Sequence, residues 1–224
     1  MPRVSAVVFD AYGTLFDVHA AMRRFADRLG PDWQAISQDW RNKQIEYSWV
    51  RSLVGPKAHR DFWTITREAL AHVAARRGIC APALLDEVAG AYRRLPVFPE
   101  VPDMLRRLKD GGIECAILSN GEPSMLADAV EAAGIEALLI DVLSVESVGV
   151  FKPDPRVYRL ATERLGAEAA EMAFVSSNPW DVFGAHAFGF QAHRVNRLGL
   201  PDEYGLRGTV PELADLAALP DLLA

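Results

Sequence analysis

Cysteine is nearly absent. Cys80 and Cys115 are the only two in 224 residues, lie far apart in unlike settings, and show no paired spacing. A cysteine-held metal and a disulfide-stapled scaffold are set aside on that ground, and both residues are expected to be free thiols in a reducing compartment, Cys115 within a strand. No apolar run approaches the ~20 residues that span a bilayer, which argues against a membrane partner. No stripe or tail of Lys and Arg occurs, and the net charge is −6, which argues against nucleic acid and for a small-molecule partner. There is no internal repeat and no low-complexity segment. From Met1 the chain runs directly into an apolar strand, without the ordered charged region, apolar helix and cleavage site of a signal peptide. A soluble cytoplasmic protein is the expectation.

What is present is an apolar framework: half of the residues are hydrophobic, enough for one large domain or a core with a modest insert. Residues 4–9 form an apolar run too short for a helix and rich in β-branched residues, which reads as a buried strand of a parallel sheet. Asp10 ends this strand, and Gly13 and Thr14 supply the turn after it. Ligands of open α/β sheets bind beyond the carboxyl ends of the strands, so Asp10 is placed to act as a nucleophile or a metal ligand.

The pattern then changes. Segments 19–29, 33–53, 59–77 and 82–95 carry apolar residues at helical spacing and are separated by Gly30-Pro31, Gly55-Pro56, Gly78 and Pro96. They hold four of the five Trp, and residues 18–97 read as an all-helical cap domain inserted after the first strand. Strands are predicted again at 114–118, 139–142, 172–176 and 191–195, alternating with helices at 103–109, 123–133, 155–165 and one opening near Asp181, before a covering helix at 211–223. This alternation specifies an α/β fold, a Rossmann-like parallel sheet core with helices on both faces, made of residues 1–17 and 98–224.

Because loops that follow parallel strands lie on one edge of the sheet, Asp10, Ser119-Asn120, Lys152 and Ser176-Ser177-Asn178-Asp181 are expected to converge. Each has an ordinary explanation. Asp10 fits a side-chain turn ending a strand, Ser119-Asn120-Gly121 fits a plain turn, and Lys152 fits a solvated loop charge. Asn178 with Asp181 fits a helix cap around Pro179. Four polar signatures in order at strand ends favour a site over four coincidences.

The run Phe9-Asp10-Ala11-Tyr12-Gly13-Thr14-Leu15-Phe16-Asp17, followed in order by Ser119-Asn120, Lys152 and Ser176-Ser177-Asn178-Pro179-Trp180-Asp181, resembles the motifs of the haloacid dehalogenase superfamily. Its metal-dependent phosphatases carry Asp at the positions of Tyr12 and Ser177. The resemblance therefore implies no Mg²⁺ site and no cofactor, since a hard cation needs a cluster of oxygen ligands. It is closest to the L-2-haloacid dehalogenase branch, which segment 40–47 and Asp61-Phe62-Trp63 also resemble. A phosphatase or phosphonatase of the same superfamily is the alternative, and a binding module that keeps the fold without turnover is a further one.

That branch implies a 2-haloacid substrate, a halide product and a carboxylate nucleophile at Asp10. It implies that Arg41 receives the halide, that Ser119 with nearby N–H groups holds the substrate carboxylate, and that Lys152 offsets the charge at Asp10. Thr14 is expected to brace Asp10, Ser176 to position Lys152, and Tyr158 to hydrogen-bond near the site. Asp181 with Asn178 and Ser177 is expected to activate water. Ala11, Tyr12, Asn42, Ile45, Phe62, Asn120 and Trp180 are the expected substrate contacts, with Tyr12, Ile45, Phe62 and Trp180 as apolar walls. A homodimer is expected from the same resemblance.

Overall fold

The computed structural model describes residues 4–224; residues 1–3, where the expected core begins, lie outside the described residues. Six parallel strands make one sheet: β1 Ala6–Phe9, β2 Glu114–Ser119, β3 Asp141–Ser144, β4 Met172–Ser176, β5 Gln191–Val195 and β6 Glu212–Leu213. Their order is β3-β2-β1-β4-β5-β6. β1 is buried at every position because both neighbours and both faces are covered, which is why its sequence is continuously apolar. The direction of crossover reverses between β1 and β4, and this is where a doubly wound sheet leaves a crevice. The Asp10 N–H still donates to the Val175 carbonyl at 3.0 Å, so Asp10 is fixed at the mouth of that crevice.

Between β1 and β2 lie α1 Ala20–Arg23, α2 Ala26–Leu29, α3 Trp33–Val54, α4 Phe62–Arg76 and α5 Pro82–Tyr92. The outgoing and returning linkers meet: Phe16 and Val97 form an antiparallel bridge, Asp17 N–H donates to Pro96 O and Phe98 N–H to Leu15 O, each at 2.9 Å. The insert thus leaves and rejoins the sheet at one point. α3 and α4 form its hairpin, joined through Gly55, whose φ of 109° suits a glycine. Trp40 Nε1 donates to Thr66 O across them at 2.9 Å. α4 starts later than expected because Asp61 caps it, accepting from the Thr64 N–H at 2.8 Å. The single helix expected at 19–29 is two. α1 buries Ala21 and Met22 while α2 buries none, so packing secures only the first piece and the chain turns at Phe25.

After the insert come α6 Val101–Asp110, α7 Pro123–Ala133, α8 Pro155–Leu165, α9 Pro179–Phe188 and α10 Leu219–Leu223. α8 follows its local code: Asp154 accepts from the Arg156 N–H, Pro155 opens the helix and Gly166 closes it in the left-handed region. The helix expected at 211–223 is mostly not formed. Arg194 N–H donates to Pro211 O and Asn196 N–H to Leu213 O, so the open edge of β5 recruits this segment as β6 and leaves only α10 helical.

Candidate active site

Asp10 is buried, and three side chains donate to its carboxylate: Thr14 Oγ1 to Oδ2 at 2.9 Å, Asn178 Nδ2 to Oδ2 at 2.8 Å, and Lys152 Nζ to Oδ1 at 3.2 Å. Thr14 reaches it because Gly13, at φ 95°, folds the chain back beside the loop after β4. There the Thr14 hydroxyl also accepts the Ser177 N–H at 2.9 Å. Asn178 begins α9, yet its side chain does not cap that helix. The amide goes to Asp10 instead, so the capping explanation fails and tertiary geometry takes the group.

Lys152 is fully buried and lies between two carboxylates, with Nζ 3.2 Å from Asp10 Oδ1 and 2.9 Å from Asp181 Oδ2. It also sits 4.9 Å from the Phe174 ring centroid. Asn120 holds its backbone, Oδ1 accepting the Lys152 N–H at 3.0 Å. A buried ammonium with two partners is tolerable; removing it would leave two buried carboxylates facing each other. Burial pushes the Asp181 carboxyl up to about 6, Lys152 opposes that rise, and Asp10 adds to it. Tyr158, fully buried, donates its hydroxyl to Asp181 Oδ1 at 2.8 Å; burial and Asp181 raise its phenol well above the ordinary range and keep it a donor. α9 can approach Tyr158 this closely only because residue 184 is Gly: a Cβ there would lie 2.5 Å from the Tyr158 oxygen.

From α3, Arg41 crosses to the sheet edge, donating to the Tyr12 carbonyl at 3.1 Å and to Asn178 Oδ1 at 3.5 Å. Among the described residues no carboxylate pairs with it, which leaves an uncompensated cation beside Asn178. Ile45, one turn on, is on the same side of α3 and buried, as the helical period requires. Asn42 is not. It is exposed and accepts from Gln38 Nε2 at 2.9 Å, because a residue adjacent to Arg41 is rotated about 100° around the helix. Asn42, expected as a substrate contact, therefore lies on the solvent side of α3.

Tyr12 is buried, its ring stacked on Tyr92 at 5.5 Å and tilted against Phe62 at 6.1 Å. Phe62 reaches on to Phe151, next to Lys152. Trp180 is half-buried, edge-on to Trp49 at 5.5 Å. Ala11 is buried directly after Asp10. The Ser119 hydroxyl accepts the Gly121 N–H at 3.0 Å. Ser176 does not meet the expectation of positioning Lys152. Its hydroxyl accepts the Asn178 N–H at 3.1 Å, so it shapes the loop that carries Asn178 while Asp10, Asp181 and Asn120 hold the lysine. Two groups escaped the sequence reading. Tyr92 donates to Gln44 Oε1 at 3.3 Å, and Gln44 Nε2 donates to Thr66 Oγ1 at 3.1 Å. A polar Gln one turn after Trp40, on the apolar face of its helix, was the available signal. Beside the site a cavity of about 610 Å³, bordered by Gly13, Arg41, Ser177 and Asn178, opens between the insert and the sheet edge.

Asp10 and its donors can therefore serve as a nucleophile with an adjacent acid–base group and a free cation. Among the described residues no group of three or more His, Cys, Asp or Glu is placed to hold a metal ion. Residues 4–189 match the family model described as haloacid dehalogenase-like hydrolase. The chain belongs to that family. Family membership makes it a hydrolase. The chain is 43% identical to (S)-2-haloacid dehalogenase 4A of Burkholderia cepacia, over 98% of its own length and 94% of that relative. A solved structure described as a dehalogenase superposes with a TM-score of 0.95 at 42% identity, covering 99% of this chain and 97% of that one. The L-2-haloacid dehalogenase of Xanthobacter autotrophicus, solved with chloropropionic acid covalently bound, gives a TM-score of 0.86 at 38% identity over 98% of each chain. No helix among the described residues is long and apolar enough to cross a membrane.

Proposed function

We propose that this protein hydrolyses short-chain L-2-haloalkanoic acids to D-2-hydroxyalkanoic acids and halide, without a metal ion, through an ester on Asp10. The observation that carries the reading is the buried Lys152 ammonium between Asp10 and Asp181. It supplies the positive charge that lets an anionic substrate approach an anionic nucleophile. Tyr12 and Ser177, where phosphatases of the superfamily carry Asp, weigh in the same direction. In this reading residues 18–97 are the cap domain over a core of 1–17 and 98–224, and the cap brings Arg41, Ile45 and Phe62 to the nucleophile.

Asp10 Oδ1, which holds only Lys152, is the freer oxygen and attacks C2 in line as the C–halogen bond breaks. The leaving halide departs toward Arg41, whose charge is not neutralised by a carboxylate. Ser119 and neighbouring N–H groups hold the substrate carboxylate, and Tyr12, Ile45, Phe62 and Trp180 enclose its alkyl part. Water then adds to the Asp10 carboxyl carbon and gives its proton to Asp181, whose raised pKa of about 6 suits a base working near neutrality. The oxyanion that forms is Oδ2, already facing Thr14 and Asn178, so its charge develops against donors set in place beforehand. Collapse expels the 2-hydroxyacid oxygen, which recovers the proton from Asp181, and leaves Asp10 as a carboxylic acid that loses its remaining proton to solvent before the next turnover. The configuration inverted at C2 in the first step is kept, because the second step does not touch C2.

The test is incubation with separate L- and D-2-chloropropionate in EDTA, following free chloride. Chloride from the L-form alone, undiminished by the chelator, is the expected result. A single turnover in heavy-oxygen water should then label Asp10 and not the product. Phosphate-ester hydrolysis that depends on Mg²⁺, with no chloride released, would replace this reading by the phosphatase one.

A further inference from the structure

Arg197 lies two residues beyond β5, outside every motif above, and touches neither the Asp10 carboxylate nor Lys152. Its guanidinium donates through one nitrogen to the Thr14 carbonyl at 3.1 Å, pairs through another with the Glu100 carboxylate, and lies 3.8 Å from the Phe98 ring centroid. Both charged side chains are mostly buried, at 16% and 18% exposure. Glu100 is itself held by the Leu216 N–H at 3.4 Å. Each contact lands on something the site depends on. Thr14 gives its hydroxyl to Asp10 and accepts the Ser177 N–H. Phe98 lies on the returning linker and donates its N–H to Leu15, the next residue along from Thr14.

The stretch from Ala11 to Val18 has no helix or strand to hold it; its backbone order comes from local turns and the isolated bridges Tyr12–Phe16 and Phe16–Val97, with contacts from the Arg41 and Asn178 side chains to the Tyr12 carbonyl and from the Ser177 N–H to the Thr14 hydroxyl. It must nevertheless carry the nucleophile's brace and the root of the helical insert. A planar guanidinium can serve a carbonyl, a carboxylate and a ring face together, which a lysine ammonium cannot. The Arg–Glu pair is the only cross-link among the described contacts that joins the loop after β5, the returning linker and the Thr14 backbone.

We propose that Arg197, anchored by Glu100, is a positioning residue for the reaction: it clamps the Thr14 carbonyl and the Phe98 linker together, so that the seating of the insert sets the alignment of Thr14 on Asp10. The role rests on the dehalogenase reading for its kinetic consequence, and on geometry alone for the clamp.

The test compares wild type, R197A, R197K, T14A and the T14A/R197A pair by chloride release from L-2-chloropropionate, by thermal melting, and by amide hydrogen exchange over residues 11–18. R197A should lower kcat on the order of tenfold to a hundredfold through misalignment of the reacting groups, with kcat/KM falling in step and KM little changed. R197K, keeping the charge without the fork, should recover only part of the loss. In the T14A background R197A should cost little more in kcat, because the hydroxyl it aligns is gone, while the losses in melting temperature still add. Exchange over 11–18 should rise in R197A. Kinetic losses that multiply in the double variant, or a fall in melting temperature with kcat and exchange unchanged, would overturn the inference. If wild type releases no chloride, the dehalogenase reading fails by itself, and exchange still decides the clamp.

Discussion

Replacing Lys152 by Met tests the arrangement at the centre of the site. The side chain keeps nearly the same length and loses only the ammonium, leaving Asp10 and Asp181 5% and 0% exposed with no cation between them. Breaking a buried ion pair by removing one partner costs about 3–5 kcal/mol. At about 2–4 °C per kcal/mol for a chain of this size, the melting temperature should fall by roughly 6–20 °C near neutral pH. The loss should also depend on pH. In the wild type the Asp181 carboxyl is raised from 3.8 to about 6, chiefly by burial, with Lys152 opposing the rise. A carboxyl raised by folding stabilises the fold while protonated; that contribution is complete below its unfolded value and is lost as pH climbs through its folded value. Without Lys152 the folded value moves higher still, so the loss continues over a wider span of pH. The deficit of K152M against wild type should therefore be smaller at pH 5 than at pH 8. Thermal melts of both proteins in the two buffers measure it directly. Equal melting temperatures at pH 8, or a deficit that is larger at pH 5, would refute the view that Lys152 compensates the two carboxylates.

Other consequences are as direct. Asp181 must be ionised to take a proton from water, so kcat should fall as pH drops through about 6 and level off above it; a flat pH–kcat profile down to pH 5 would remove Asp181 from that role. In R41K the cation survives but the Nη2 contacts to the Tyr12 carbonyl and Asn178 Oδ1 are lost. Its kcat should fall more for 2-chloropropionate than for 2-bromopropionate, since chloride is the poorer leaving group, and a uniform loss would argue against halide contact. Gly184→Ala drives a Cβ to 2.5 Å from the Tyr158 oxygen and 2.7 Å from Pro153. Overpacking of this kind costs about 1–3 kcal/mol, which melting should register, and a variant as stable as wild type would mean that α8 and α9 separate freely.

Much of the framework was written locally. The apolar run before Asp10, the Asp154-Pro155 start and Gly166 stop of α8, and the limits of β4 and β5 all lie in the sequence, because strand burial and helix caps are decided within a few residues. Convergence of Asp10, Asn120, Lys152 and Asn178 was legible for a topological reason: parallel strands put their following loops on one edge. What each polar group does there was not. Asn178 and Asp181 have the spacing of a helix cap, and only the nearness of β1 to β4 turns Asn178 to Asp10 and Asp181 to Lys152 and Tyr158. Asn42 and Arg41 are neighbours in sequence, and only the packing of α3 against the sheet edge decides which of the two faces the site and which faces solvent. The segment at 211–223 has a helical composition but becomes partly strand, because the edge of β5 offers it hydrogen bonds that no local signal reveals. Arg197 carries no motif at all, and its contacts arise only where three distant stretches meet. The sequence by itself determined the elements, their order and the candidate residues, since these follow from short-range preference and burial period. The tertiary structure decided the partners of Asp10, Lys152 and Asp181, since in a buried site partnership depends on distances between segments that are remote along the chain.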